Sequence, residues 1–454
     1  MLKKDWLRRS LGTFDIYSLV HHDSQSTYYL MMGFIALYAA RESFWVALYA
    51  VALMTAIALV YGEMGSHFPE TGGSYLYTRY GMGVFMGFLS AWLLAIDQVI
   101  MVSYGTLDAS KYTISLLERY GILDPSFEKY SVLIAILFST ALYVLTVIGI
   151  RESAFVAKIA AVIDFISIGL LVVSINLVFL LLSNPPSPPY FNWSNISPPS
   201  LLLALALASR GFTGIDALGQ LAGEAKKPLI QIPRATILLV IIGVYFSLSL
   251  MLLTMTLIPY ELVSEDPALV IFYISDKTPY ISSIAVAAAS INIILIMLLA
   301  ALTGYVSFSR LLYIFSQDRL LPSFFGRVHR IFRTPHISLT TIFIISLPFI
   351  IQGEISFIVE VYAIGSLMNY LLVSLSLAIL SRRGELYGGF QTPRIRGIPI
   401  TVILGTPAMI TGLIFTFIEK YSVLWIIGLW VLGGVALYTY QRRTSRKTQN
   451  KTAA

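Results

Sequence analysis

The chain has 454 residues, of which 57% are hydrophobic and 12% charged, and its mean hydropathy is +0.78. A soluble domain would carry about 45–50% apolar and about 25% charged residues, so the composition excludes one and indicates an integral membrane protein. The formal charge of +7 sits in loops and in the tail beside a membrane, which suits anionic lipid at the cytoplasmic face and not nucleic acid. With no cysteine, disulfides, thiolate catalysis and Cys-ligated metals are all excluded.

Along the chain, apolar stretches cover residues 11–40, 43–66, 84–107, 131–150, 153–183, 200–223, 235–259, 280–316, 337–352, 355–381, 398–418 and 422–441. Each is long enough, or nearly so, for the about 20 residues that cross a hydrocarbon layer, which predicts one all-α membrane domain of twelve transmembrane helices. The first stretch is not a cleavable signal, because polar residues interrupt it and no small-residue cleavage site follows. With the N-terminus inside, 24 Lys and Arg residues fall on the cytoplasmic side and 5 outside, Lys111 and Arg210 completing the 31. The positive-inside rule then puts both termini in the cytoplasm, with 442–454 as a basic tail.

Polar groups inside these stretches carry the functional information, since an Asp or Arg at a helix centre costs about 2.5–3.5 kcal/mol on insertion scales. In the first stretch, His21 to Tyr29 are nine consecutive polar or semi-polar residues; His22, Ser26 and Tyr29 share one helix face, with Asp23 and Thr27 alongside. Such a run is either a hydrogen-bonded packing seam or the wall of a water-filled site. Gly81, Gly83 and Gly87 lack the strand and spacing of a dinucleotide loop and are read as small residues for helix packing. Asp97 in the third stretch, and Glu360 and Asn369 in the tenth, are read as structural or gating groups.

Asp164 lies eleven residues into the fifth stretch, about 16 Å deep, and must be protonated, paired or bound to a cation; Lys158 is shallow enough to snorkel. The uncharged stretch from Ser183 to Ser200 reads as a stiff Pro-rich connector. In the sixth stretch Gly211, Gly214 and Gly219 weaken the helix, while Arg210 and Asp216 bracket the weak point. A helix broken there exposes peptide groups to a ligand at the midplane, whereas an Arg210 bridge to Asp216 or Asp164 is the structural alternative. No metalloprotease, phosphate-binding or nucleophile-elbow motif is present, so no enzyme, cofactor or metal is expected.

Gly62-Glu63-Met64 with Phe68-Pro69-Glu70-Thr71-Gly72-Gly73-Ser74-Tyr75-Leu76-Tyr77 resembles the second-to-third-helix signature of the amino acid–polyamine–organocation (APC) transporters. Ala222 to Pro228 with Ile232-Pro233-Arg234-Ala235 is similar to that superfamily's sixth-helix exit, and Ser309 to Pro322 to its eighth-helix exit. The resemblance covers nearly the whole chain in order. It implies a LeuT-type fold, with five-helix inverted repeats over 11–183 and 200–381 and two further helices over 398–441. It further implies a small-molecule substrate between broken helices one and six, on His22, Asp23, Ser24, Ser26, Thr27, Arg210, Gly211, Phe212, Gly214 and Asp216.

Three departures qualify the likeness. The glycines that break helix one in amino acid carriers are absent from His22 to Tyr28; Asp164 stands where proton-coupled members carry a lysine; and Arg210 replaces an apolar or aromatic residue. Asp164, with Thr303 and Ser307 of helix eight, is the expected coupling-ion site for H⁺ or Na⁺. The first reading is a cation-coupled transporter of an amino acid or related amine. A potassium or other inorganic cation importer of the same superfamily and a non-transporting sensor or scaffold are the alternatives.

Overall fold

The structure, a computed structural model, describes residues 9, 11–70, 72–149, 155–166, 168–169, 193, 195–209, 211–277, 282–355, 357–358, 364–419, 421 and 424–453. Helix α1 (Thr13–Ala39) starts where the Gly12 N–H donates to the Asp15 carboxylate at 2.7 Å. The chain turns at Ala40, φ +44, and reverses into α2 (Ser43–His67). Gly72 and Gly73, both at positive φ, lead into the short α3 (Ser74–Met82), which lies between the second and third apolar stretches. Gly83, φ +93, then separates α3 from α4 (Val84–Arg119), while Gly81 and Gly87 sit against Ser376 and the Tyr75 carbonyl as packing glycines.

After α5 (Ser131–Ile148) comes α6, described over residues 155–166. The sixth apolar stretch divides into α7 (Leu201–Ala208) and the short α8 (Ala217–Gln220), with turns between them. There follow α9 (Pro228–Leu257), the connectors α10 (Tyr260–Glu265) and α11 (Val270–Asp276), then α12 (Ser282–Gln317) and α13 (His336–Gln352). Helices α14 (Ile364–Arg383), α15 (Ile400–Glu419) and α16 (Leu424–Ala453) complete the chain. Each of the twelve apolar stretches contains helix among its described residues. Eight helical runs among them are long and apolar enough to cross a membrane, the first being Thr13–His67, which joins α1 and α2.

Helix α1 is central. Every residue from Ile16 to Gly33 is buried, so no face of it is left for lipid, as expected of a helix surrounded by others. The expected break in helix one is overturned: α1 runs unbroken through His22 to Tyr28. The reason is chemical. No glycine interrupts this segment, and its polar side chains fold back on their own helix, the Ser26 and Thr27 hydroxyls donating to the Asp23 carbonyl at 2.9 and 3.2 Å. Outer helices keep one apolar face exposed, as with Leu133, Leu137 and Val144 of α5 and Ile237 and Ile241 of α9.

Two small strands occur among the described residues. Arg396 (φ +50) and Gly397 (φ +80) turn β1 (Arg394–Ile395) back on β2 (Ile398–Pro399), the two positive φ values of a primed hairpin turn. This hairpin docks on the buried Glu63 carboxylate, which accepts from the Thr392 N–H at 3.0 Å, the Thr392 hydroxyl at 2.6 Å and Arg394 Nη2 at 2.7 Å. Ahead of α1, Leu11 bridges to the segment after α8: its N–H donates to the Glu224 carbonyl and its carbonyl accepts from the Lys226 N–H, both at 3.0 Å.

Candidate functional site

The break in the sixth stretch begins where Ser209 closes α7 by donating its hydroxyl to the Leu205 carbonyl at 2.8 Å. Residues 211–216 then follow turns, not helix, with Gly214 at φ +90, before α8 resumes at Ala217. Glycine is needed there twice over. A side chain is strained at that φ, and a Cβ at Gly214 would collide with the Asp23 carboxylate of α1. The sequence expectation of a broken sixth helix thus agrees with the structure, and Gly211, Phe212, Gly214 and Asp216 all lie at the break; Arg210 is outside the described residues.

Tyrosines hold the break in place, among them Tyr370 and Tyr104, which the sequence reading passed over. The Gly214 N–H donates to the Tyr370 hydroxyl at 3.1 Å, and that hydroxyl reaches Asp216 Oδ1 at 3.2 Å. Gln220 donates to the other Asp216 oxygen at 2.8 Å, and Tyr28 stacks on Phe212 with centroids 4.8 Å apart. The Thr27 hydroxyl lies 3.0 Å from both Thr213 Oγ1 and the Tyr104 hydroxyl, which is 3.5 Å from Ser26 Oγ. Thus α1, the break, α4 and α14 converge on one hydroxyl-rich patch. Beside it Asp23 is fully buried, and among the described residues neither of its oxygens has a hydrogen-bond partner; the Ser24 hydroxyl is likewise buried and unpartnered.

Asp164 is also fully buried, but well satisfied. It accepts from His21 Nε2 at 2.7 Å, from Asn292 Nδ2 at 2.7 Å and from the Tyr29 hydroxyl at 3.3 Å. The Tyr17 hydroxyl is 3.0 Å from His21 Nδ1, so the imidazole joins a tyrosine to the carboxylate. His21, which the sequence reading assigned to no site, meets Asp164, because the face of α1 toward α6 carries His21 and Tyr29; His22, expected at the substrate, bonds the Ser18 carbonyl of its own helix through Nδ1. One expectation changes here: Thr303 and Ser307 do not complete the Asp164 site. They lie eleven and fifteen residues beyond Asn292 on α12, at least about 16 Å along the axis, so one helix cannot bring all three to one carboxylate.

Thr303 and Ser307 instead line a small cavity with Leu19, Gln220, Val306 and Arg310. Arg310 Nε donates to Glu224 at 2.8 Å, nearly out of solvent, so this cavity lies between an ion pair and the Gln220 that serves Asp216. Asp97, read as structural, accepts from the Ser366 N–H at 2.7 Å, and Asn369 links Ser90 (2.6 Å) to Tyr61 (2.8 Å). Lys158 reaches Asp15 at 2.9 Å; Glu360 lies outside the described residues.

The amino acid permease family model matches residues 11–440 of the chain. The chain belongs to this family. It therefore lies within the APC superfamily and is a permease, not an enzyme. It is similar to the branched-chain amino acid permease BcaP of Bacillus subtilis, 24% identical over 98% of this chain and 95% of the relative. The methylthioribose transporter of the same organism is 26% identical over the same shares, and the low-affinity putrescine importer PlaP of Escherichia coli 23% identical over 72% of each. In this permease, α1 is continuous and helix six is broken, so the helical ladder is interrupted at the break and not in helix one. Tyr104, Tyr370 and Asn292 were legible only as polar groups inside apolar helices, a signal that marks burial but does not name the partner.

Proposed function

We propose that this permease is a secondary active transporter that carries an amino acid or related small amine across the cell membrane by alternating access around the break in helix six. The frame of the proposal is twelve spans with both termini cytoplasmic, arranged as two inverted five-helix repeats and two added helices. One observation carries it: the buried Asp23 carboxylate rests on Gly214 with neither oxygen bonded, and Asp216 stands across the same break. Among the described residues no Lys or Arg pairs with either carboxylate; two buried carboxylates are costly in a low-dielectric interior, and an ammonium group set against them removes that cost. The amine of an amino acid or of putrescine, solutes named for relatives of this chain, supplies that group.

Coupling is assigned to Asp164 with His21. Donors surround this carboxylate on both oxygens, and a sodium ion needs acceptors, so the transferable ion assigned to the pair is a proton carried on the His21 imidazole and held against the Asp164 carboxylate. The test is uptake of labelled leucine and putrescine into liposomes under an imposed pH gradient, compared with Asp23→Asn. Accumulation by the wild type and its loss in the variant are expected. Asp23→Asn uptake at the wild-type rate would remove Asp23 from the site. Potassium uptake without amine uptake would make the protein an inorganic cation importer, and binding without any uptake a sensor.

A further inference from the structure

We propose that Asp108 of α4 is a second cation-binding carboxylate, which receives the ammonium head of a solute before it reaches the break in helix six. The inference rests on the orientation and ligand class proposed above. Tyr104 touches Thr27 and lies beside Ser26, so it forms one wall of the hydroxyl patch. Asp108 follows four residues later, on the same face of α4 and about 6 Å farther along its axis, toward the side where the proposed topology places the outside.

Asp108 is fully buried, and among the described residues neither carboxylate oxygen has a hydrogen-bond partner. The groups around it are engaged elsewhere. Lys111, one turn on, reaches Asp266 at 3.7 Å. Asp266 accepts the Ala268 N–H at 3.0 Å, and the Tyr112 hydroxyl donates to the Ala268 carbonyl at 2.9 Å. That turn is pinned to α1, where a Cβ on Gly33 would strike the Pro267 carbonyl. Lys111 and Asp266 are the charged groups that act on Asp108, with opposite signs, and Lys111 is already engaged with Asp266. A buried carboxylate with no donor is among the costliest groups in a protein interior, and a compact monovalent cation with N–H donors satisfies it. The same chemistry recurs at Asp23, one unpartnered carboxylate inward of Tyr104 and one outward.

The test uses the purified full-length protein in detergent. Its thermal unfolding is followed while methylammonium chloride replaces choline chloride at constant ionic strength, with potassium and sodium chloride as separate arms. A saturable rise in melting temperature is expected for the wild type. Asp23→Asn should retain part of that rise, and Asp23→Asn with Asp108→Asn should lose it, while Asp108→Glu, which keeps the carboxylate, should preserve it and serves if the asparagine variant fails to fold. A double variant with the full response of Asp23→Asn overturns the proposal, as does complete loss of the response in Asp23→Asn alone. Stabilisation by potassium or sodium and not by methylammonium overturns the ammonium assignment. A wild-type response that survives Asp23→Asn unchanged and vanishes in Asp108→Asn keeps Asp108 and overturns the reading of helix six. No response in the wild type overturns both.

Discussion

Asp164 and Asp23 are equally buried, yet one has three donors and the other none. That contrast separates a carboxylate whose accepting capacity is met within the protein from one that a ligand could satisfy. Asp164→Asn keeps the shape of the side chain but removes the charge that holds a protonated His21. It is expected to retain binding and exchange while losing accumulation driven by a pH gradient, measured in liposomes with and without that gradient. Gradient-driven uptake at the wild-type rate would place coupling elsewhere. Gly214→Ala tests the contact itself. The left-handed backbone costs alanine about 1–2 kcal/mol, and its methyl group would displace the Asp23 carboxylate, so affinity for an amine should fall at least about tenfold with the protein still folded.

At the scale of the element, helix six is held open by a tyrosine from α14. Tyr370→Phe would strand the buried Gly214 N–H and release one Asp216 oxygen. Leaving such a group unsatisfied costs about 1–3 kcal/mol, so ligand affinity should drop by roughly ten- to a hundredfold, as read by thermal shift; an unchanged affinity would mean that the break keeps its form without Tyr370. The break was legible because glycine spacing is a local signal: Gly211 and Gly214 weaken a helix wherever it packs. The continuity of α1 was legible in part, since the missing glycines were noted, yet the expectation of a break came from likeness and not from residues. The partners of Asp164 were not legible. His21 lies 143 positions away and Asn292 128 positions away, and no local pattern says which face of α1 turns to α6.

For the whole molecule, the sidedness of 24 to 5 in Lys and Arg makes a direct prediction. A cysteine at Glu265, in α10, should react with an impermeant thiol reagent from outside the cell, and one at Ser323 only from the cytoplasm. Labelling of position 323 from outside would overturn the twelve-span orientation. Apolar length and charge bias made the count of stretches legible, whereas the connectors α3, α10 and α11 were not, because short helices in loops bury only part of one side and leave a weak pattern.

The pairing of Leu11 with Glu224 and Lys226 has a mechanical meaning. It fastens the foot of α1 to the foot of helix six, about 18 Å along the axis from Asp23. Two rods joined at one end cannot tilt independently; torque applied to either foot turns both, and the joint acts as a fulcrum for the walls of the site. Leu11→Pro removes the N–H that Glu224 accepts and so cuts half of the joint. Spin labels at the two feet would then report a broadened distance distribution, whereas a distribution as narrow as the wild type's would show that the rods are yoked by packing higher up.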